Sequence, residues 1–497
     1  MDQLLNNPDY PHILSILIFL PLAGAAVLLF VRNDFFARYW ALGVSTLTAL
    51  ISIPLILAFD TTTSKFQFVE QFTWIEALNI QYVVGVDGIS ILLVMLTTFI
   101  MPLCVLASWN YIKTRVQAFM VCLLIMECAM LGVFMALDFV LFYILWEAML
   151  IPMYMLIAIW GGPRKIYASI KFFLYTLGGS VMLLVAILWL FINNGYSFFI
   201  PDMMWQNYSS TAQIFVFLAF FLAFAIKVPM FPFHTWLPAA HVEAPTAGSV
   251  ILASVLLKMG TYGFLRFAIP ITPEATMLLA PAILWLSIAA IIYGGFTALA
   301  QSDMKKLIAY SSVGHMGFVT LGIFVLNTAG VEGAILQMIN HGITTGALFL
   351  CIGMIYERTH SRELRDATGL GKQMPIFVTF LTFFTLSAFA FPGTNSFVGE
   401  FMILVGTFEH SIWLALAAIP GAVLAAAYML RMLQKIVWGG PNNPDQTMIK
   451  DISVREIVIL SPFLFFVFWI GLGAQPFVDI MHVSVESLLN NYHGLHN

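Results

Sequence analysis

The sequence predicts an all-α polytopic membrane protein with 14 transmembrane helices, arranged as two inverted five-helix repeats with two broken helices, the seventh and the twelfth. Three observations lead to this fold class. Hydrophobic residues make up 61% of the 497 residues and charged residues only 9%, whereas soluble proteins carry about 25% charged residues. Apolar runs of membrane-spanning length recur along the whole chain. Basic residues fall mostly on one side of these runs, as expected for membrane proteins.

The transmembrane segments are predicted from the length of the apolar runs, because one crossing needs about 20 apolar residues. No basic segment precedes the first run and no small-residue cleavage site follows it, so we expect a retained helix rather than a signal peptide. The seventh and twelfth runs are too long for one continuous helix. The runs are residues 12–31, 39–59, 86–108, 117–136, 138–160, 168–192, 213–245, 246–268, 276–300, 307–326, 330–356, 375–408, 411–437 and 456–474.

The distribution of lysine and arginine predicts the orientation of the chain. If the N-terminus is periplasmic, 17 of the 21 basic residues fall on the cytoplasmic side, Lys65 and Arg266 face outward, and Lys227 and Lys258 lie within spans. A wrong number of spans would scramble this sorting. The charges therefore indicate both termini in the periplasm. They form no basic patch, which argues against a nucleic-acid partner.

Two loops have patterns of their own. The outer loop 60–87 alternates apolar and polar residues between Lys65 and Trp74, which predicts a short two-stranded cap. The longest inner loop, 439–451, is rich in glycine, proline and asparagine and is typical of turns.

Helix-breaking residues divide the two overlong runs. Two prolines closely follow Lys227, and a Pro-Gly pair at 392–393 precedes Glu400, so each helix should break there. Broken helices at matching places in two halves are typical of inverted-repeat transporters. The predicted units are residues 1–116 (three helices and the periplasmic loop), 117–268 (first five-helix repeat), 269–437 (second, inverted repeat) and 438–497 (cytoplasmic loop, last helix and periplasmic tail).

Seven ionisable side chains lie inside the predicted spans. Each costs at least about 2.5 kcal/mol at the bilayer centre, so such groups tend to mark ion or substrate pathways. A structural pair or a helix-packing hydrogen bond explains any one of them, but seven on seven helices favour a pathway. The seven are Glu127, Glu147, Lys227, Lys258, His315, His341 and Glu400.

Metal and redox sites are not supported by the sequence. His234, His241 and Glu243 have no usual zinc spacing. The four cysteines lie in apolar runs without a C-x-x-C pair, which gives no basis for an iron–sulfur cluster or a disulfide framework. The stretch 369–372 lacks the rest of a phosphate-binding loop and is interpreted as a turn. We expect any redox chemistry to take place in another chain.

Three motifs carry a family resemblance that extends over nearly the whole chain. Residues 145–154 (LWEAMLIPMY), 227–246 (KVPMFPFHTWLPAAHVEAPT) and 395–401 (NSFVGEF) resemble the antiporter-like subunits of respiratory complex I, the proton-pumping NADH:quinone oxidoreductase. Among the three paralogous types in that family, Glu400 resembles the M type, because the other types usually have lysine there.

The resemblance implies a function and a set of site residues. The chain would move protons from cytoplasm to periplasm across a bacterial inner membrane. It would hold no cofactor, because NADH, FMN, iron–sulfur clusters and quinone belong to partner subunits. Its partners would be the other membrane-arm subunits, including paralogous ones, together with lipid and protons. Glu127 and Asp138 are not expected to be essential. The implied site is the fifth-helix glutamate Glu147, the lysines Lys227 and Lys258, the linking histidines His315 and His341, and the exit carboxylate Glu400.

Three other interpretations remain open at this point. A sodium/proton antiporter subunit would share the broken helices, and a photosynthetic, ferredoxin-linked complex I subunit would share nearly all the motifs. A structural membrane spacer would not need buried charges.

Overall fold

The computed structural model describes residues 4–5, 7, 10–31, 33–438 and 449–495, and helices dominate it. The helices of the first half are α1 (Ile13–Phe30), α2 (Asp34–Leu57), α3 (Ile91–Ala107), α4 (Val116–Met135), α5 (Phe139–Ala148), α6 (Leu150–Trp160), α7 (Lys165–Asn193), α8 (Ser210–Lys227) and α9 (Trp236–Glu243). Those of the second half are α10 (Thr246–Ile271), α11 (Pro273–Leu299), α12 (Met304–Phe324), α13 (Thr328–Thr359), α14 (Pro375–Ala388), α15 (Asn395–His410), α16 (Ile412–Val437), α17 (Val454–Leu472) and α18 (Gln475–Gly494).

Twelve helices of the described chain are long and apolar enough to cross a membrane, with α5 and α6 counted as one. The helices α3 and α14 are apolar but shorter. These twelve helices differ clearly in the fraction of their residues that is buried. The most apolar windows of α10 and α13 are entirely buried, whereas those of α2 and α17 are only one-third buried. Because a helix covered on every side must lie inside a bundle, α10 and α13 form its centre.

The predicted two-stranded cap is confirmed. Strands β1 (Gln67–Ile75) and β2 (Ile80–Val86) pair antiparallel. The carboxylate of Glu70 in β1 accepts a hydrogen bond from the backbone N–H of Leu14 at 2.8 Å and another from the Ser15 hydroxyl. A carboxylate at a helix N-terminus satisfies a free N–H and complements the helix dipole. The hairpin is thereby fastened to α1, and we call this face of the molecule the hairpin side.

Both predicted helix breaks are confirmed. The helix α8 ends at Lys227, and α9 begins only at Trp236. The indole N–H of Trp236 donates to the carbonyl of Ile226 at 2.8 Å, which satisfies an acceptor that the break has freed. In the second half, α14 ends at Ala388 and α15 begins at Asn395. Gly393 lies between them with φ +91°, a conformation that favours glycine.

Other features were not predicted. The fifth run is divided at Met149, between α5 and α6. The helix α10 contains two wider, π-type segments, Leu252–Leu256 and Phe264–Ala268. Arg266, which the loop charges assign to the outer side, is buried within α10. The tail after the last span forms the helix α18 on the hairpin side. The predicted inner loop 439–451 lies mostly outside the described residues.

Candidate functional site

The six predicted site residues lie on different helices that converge at the bundle centre. Lys258 is fully buried, Lys227 is 2% exposed and Glu400 is 3% exposed. His315 and His341 are buried as well, and Glu147 is half-buried. Since a buried charge requires polar partners, the contacts of each side chain decide what the arrangement can do. These contacts divide the six residues into two groups.

The first group, the glutamate–lysine cluster, consists of Trp146, Glu147, Met149 and Lys227. The Nζ atom of Lys227 lies 3.6 Å from the Met149 sulfur and 4.8 Å from the centre of the Trp146 ring. Glu147 and Lys227 form no ion pair in the described structure, and Oε1 of Glu147 is buried without a hydrogen-bond partner. The two charges are nevertheless close enough to interact electrostatically.

Local backbone features explain why these side chains meet. Lys227 is the last residue of α8, where the helix dipole favours a cation. Glu147 lies two residues before the junction at Met149, close to the point where α5 ends. The Trp146 ring is held in place because its N–H donates to the Ser180 hydroxyl at 3.1 Å. The first cluster therefore has a fixed ring beside the Lys227 ammonium group, which contacts a sulfur and the ring but no carboxylate.

The second group, the histidine chain, consists of Lys258, His341, His315 and Glu400 in spatial order. Nζ of Lys258 lies 2.7 Å from Nδ1 of His341. The ring centres of His341 and His315 are 5.8 Å apart, and Nδ1 of His315 lies 2.8 Å from Oε1 of Glu400. These distances leave only the step between the two imidazoles without a direct hydrogen bond. Four titratable groups from four helices thus form one nearly continuous chain.

Close helix packing holds the chain at its Glu400 end. The Gln337 amide donates to the Glu400 carboxylate at 3.0 Å. A Cβ at Gly399 would lie 2.7 Å from the Gln337 side-chain oxygen and 3.1 Å from the Gln337 Cα, so the missing side chain lets α15 approach α13 without displacing Gln337. The Asn340 amide donates to the backbone carbonyl of Asn395 at 2.8 Å, which fixes the start of α15. The carboxylate is therefore oriented by neighbouring donors.

The two groups lie on helices in direct contact, although their side chains are not bonded to each other in the described structure. A Cβ at Gly260 would lie 3.1 Å from the Cβ of Lys227 and 2.8 Å from the Phe224 carbonyl oxygen. The helix α10 therefore packs directly on the end of α8. Lys258 donates instead to its own helix, at the Ala253 carbonyl. A proton passing from one lysine to the other needs a rearrangement or water.

Other buried polar residues differ in whether their side chains have hydrogen-bond partners. Both oxygens of Glu127 are buried without partners among the described residues, whereas Asp138 accepts from Val140 N–H at 2.8 Å and caps α5. His241 stacks on Phe349 at 4.6 Å, and neither ring nitrogen has a partner in the part of the chain that the structure describes, although Lys258 is close enough to interact electrostatically. The sequence spacing points to His241 only as a possible metal ligand. Its position on the second half of a broken helix is the sequence feature that could have identified it as a candidate site residue. Among the described residues, no group of three or more His, Cys, Asp and Glu side chains could hold a metal.

Comparisons with known proteins place the geometry in a family context. Residues 136–425 match the family model described as NADH:quinone oxidoreductase/Mrp antiporter, TM, and residues 16–133 match NADH-ubiquinone oxidoreductase chain 4, amino terminus. NADH-quinone oxidoreductase subunit M of Rhodobacter capsulatus is 46% identical, covering 97% of each chain. NADH-ubiquinone oxidoreductase chain 4 of Arabidopsis thaliana is also 46% identical, covering 96% of this chain and 97% of that protein.

Solved structures have the same fold. A chain of respiratory complex I from Thermus thermophilus with bound NADH superimposes with a TM-score of 0.89 at 30% identity, covering 96% of this chain and 99% of that one. A chain of the Mrp complex from Dietzia sp. gives a TM-score of 0.82 at 20% identity, covering 96% of this chain and 52% of that one. The second likeness concerns the fold alone.

Proposed function

The chain belongs to the NADH:quinone oxidoreductase/Mrp antiporter family, and from this premise we propose that its two charged groups form one proton path through the membrane. It is a proton-translocating subunit of NADH-quinone oxidoreductase. The observation that carries the proposed path is the contact series Lys258, His341, His315 and Glu400.

The proposed topology has 14 crossings. The helices α3 and α14 then cross the membrane together with the twelve longer helices, α14 as one half of a helix broken before α15. The five crossings from α4 to α10 and the five from α11 to α16 form two inverted repeats, with Lys227 and Glu400 at matching breaks. The loop charges support an orientation with the hairpin side in the periplasm of a bacterial cell and both termini on that side.

The glutamate–lysine cluster acts as the switch of this path. Burial disfavours the charged form of a lysine, and a nearby carboxylate favours it. If a conformational change in a neighbouring subunit moves Glu147 away, Lys227 loses this support and releases its proton. The absence of a direct bond between the two residues makes such a movement inexpensive.

The histidine chain acts as the conductor. A proton released near α10 passes from Lys258 through His341 and His315 to Glu400, and then leaves toward the hairpin side. His241 lies beside this chain on the cytoplasmic half and is suited to supply protons to Lys258. Imidazoles both accept and donate protons, so they suit the inner steps.

The driving force comes from other subunits. Moving one charge against 100 mV requires about 2.3 kcal/mol, and we place NADH, FMN, the iron–sulfur clusters and quinone in partner chains. The partners in the membrane arm are then paralogous antiporter-like subunits. The sodium/proton antiporter and the photosynthetic alternatives are less favoured, because the relatives at 46% identity are named as subunits of NADH-quinone and NADH-ubiquinone oxidoreductases.

The substitution Glu147→Gln tests the switch. It keeps the shape of the side chain but removes the negative charge beside Lys227. We expect NADH:quinone turnover and proton pumping to fall together by at least about tenfold, as for a lost interaction worth more than about 1.4 kcal/mol. Both are measured in membrane vesicles containing fully assembled complex. Normal pumping by an assembled variant would show that Glu147 is only structural.

A further inference from the structure

Arg266 occupies a special position on the central helix α10. Lys258 lies eight residues earlier, roughly 12 Å along the axis at 1.5 Å per residue. Arg266 is 6% exposed, and its guanidinium donates to the carboxylate of Asp87, which is 3% exposed. The rings of Phe66 and Tyr262 lie 4.8 Å and 5.4 Å from the guanidinium carbon. The charge is thus enclosed on several sides, although the proton path described above does not use it.

A polar cavity of about 100 Å³ lies on the hairpin side of Arg266. Its lining extends from Lys65 and Asn491, which are exposed, to Asp87 and Arg266, which are buried. A volume of this size holds about three waters, at roughly 30 Å³ each. Water from the hairpin side can therefore reach Arg266, and along this face of α10 a layer formed by Arg266 and Tyr262 lies between that water and the level of Lys258.

The chemistry of this layer does not allow proton transfer. The Tyr262 hydroxyl accepts from Nε of Arg266 at 3.2 Å and donates to the Phe134 carbonyl, also at 3.2 Å. A proton wire needs groups that both accept and donate, but a guanidinium only donates and is never deprotonated in proteins. The backbone carbonyl only accepts. Every hydrogen bond of Tyr262 therefore ends at a group that cannot relay a proton.

We propose that Arg266, held by Asp87 and Tyr262, insulates Lys258 from the water on the hairpin side. A proton on Lys258 then has no direct way outward and must travel along the histidine chain to Glu400. Arg266 is a positioning residue in this scheme, since it prevents a leak and touches no proton that is pumped. The proposal rests on the proposed function and deepens it.

Passive proton flux distinguishes an insulator from a structural clamp. Intact complexes carrying Arg266→Gln are reconstituted in liposomes without NADH, a pH gradient is imposed, and an internal pH dye is followed. We expect the flux to rise about tenfold, as for the loss of a hydrogen bond to a charged group. NADH oxidation should stay within about twofold of wild type, so the ratio of protons pumped to NADH oxidised falls.

Two further variants complete the test. Lys65→Gln removes a positive charge from the mouth of the same cavity and should leave the flux unchanged. If Arg266→Gln fails to assemble, the double variant Asp87→Asn/Arg266→Gln leaves no unpaired buried charge, and its flux should rise in the same way. A wild-type flux in either assembled variant overturns the proposal.

The route of the proton leak provides a second test of the proposal. In the Arg266→Gln background, Lys258→Met should return the flux to the wild-type value, because the leak is expected to pass through Lys258. A leak that persists without Lys258 would also overturn the proposal. Because the flux is measured without NADH, the result can reject the insulating role of Arg266 without rejecting the pumping role of the chain.

Discussion

The glutamate–lysine cluster and the histidine chain are built from similar residues but are held in different ways. In the first, Lys227 contacts a thioether and an indole ring, and it forms no ion pair with Glu147. In the second, Lys258 and Glu400 each contact a histidine within 2.8 Å. Contacts of a cation with a ring or sulfur have weak directionality, whereas charged hydrogen bonds fix both partners. The first group is therefore suited to change its geometry, and the second to keep it.

The comparison also explains the positions of the breaks. A helix end frees backbone carbonyls and allows the chain to bend. Lys227 lies at the end of α8 itself, where no further turn of the helix covers it. Glu400 lies inside α15, more than one turn beyond the break, where Gln337 and His315 both hold it. Similar interruptions thus place one charged group at a helix end and the other inside a helix with two direct partners.

Removing Glu400 is expected to have the largest effect. Glu400→Ala leaves no titratable group at the end of the chain, so pumping and coupled turnover should fall by more than about tenfold. Glu400→Lys restores a titratable group and should retain part of the pumping. The measurements are quinone-linked NADH oxidation and dye-detected proton uptake in the same vesicles. Full pumping by an assembled Glu400→Ala complex would show that the second broken helix carries no proton.

Matched substitutions in the two groups test the contrast directly. Gln337→Leu removes a donor from the Glu400 carboxylate, and a hydrogen bond to a charged group contributes about 1.5–3 kcal/mol. Pumping should fall about tenfold. Met149→Leu replaces the sulfur near Lys227 by an alkyl group of similar volume, which is usually tolerated, so we expect a change of about twofold or less. Equal losses in the two variants would mean that both groups depend on fixed contacts.

The sequence contained strong local signals for part of this architecture. Apolar length indicated the helices, and the prolines after Lys227 and before Glu400 indicated the breaks, because a missing backbone donor acts locally. The junction at Met149 and the π-type segments of α10 have no such signal, since they depend on packing. The helix α18 was missed, although its buried residues Met481, Val485, Leu488 and Tyr492 recur with helical spacing.

The residues of the site could be predicted from the sequence, but the contacts between them could not. Buried charges stand out in an apolar sequence because of their high cost in lipid. The order from Lys258 through His341 and His315 to Glu400 could not be derived, since two of its three contacts join residues 83 and 85 positions apart and depend on the fold. The absence of an ion pair between Glu147 and Lys227 is likewise a property of the packing. The different contacts that hold the two groups therefore became apparent only in three dimensions.

The smallest effect is expected from a histidine–carboxylate pair outside the path. On the hairpin side, Nδ1 of His482 lies 2.6 Å from Glu332, a distance similar to that between His315 and Glu400. The His482 side chain is 44% exposed and also faces Glu486 at 3.4 Å and, more weakly, Asp479. The hydrogen bond to Glu332 raises the pKa of His482 above its ordinary value of 6.5. Solvent screening limits the stabilisation to about 0.5 kcal/mol.

The direction of the pH dependence of this pair follows from the raised pKa. The protonated imidazole fastens α18 to α13, so this stabilisation is complete below pH 6.5 and is lost as the pH rises through the raised pKa of His482. His482→Ala should therefore speed amide hydrogen exchange in α18 by about twofold just below pH 6.5 and leave exchange unchanged at high pH, with normal pumping throughout. Loss of pumping, as in Glu400→Ala, would mean that an exposed pair serves the path as well as a buried one. In that case burial would not be what distinguishes the conducting chain.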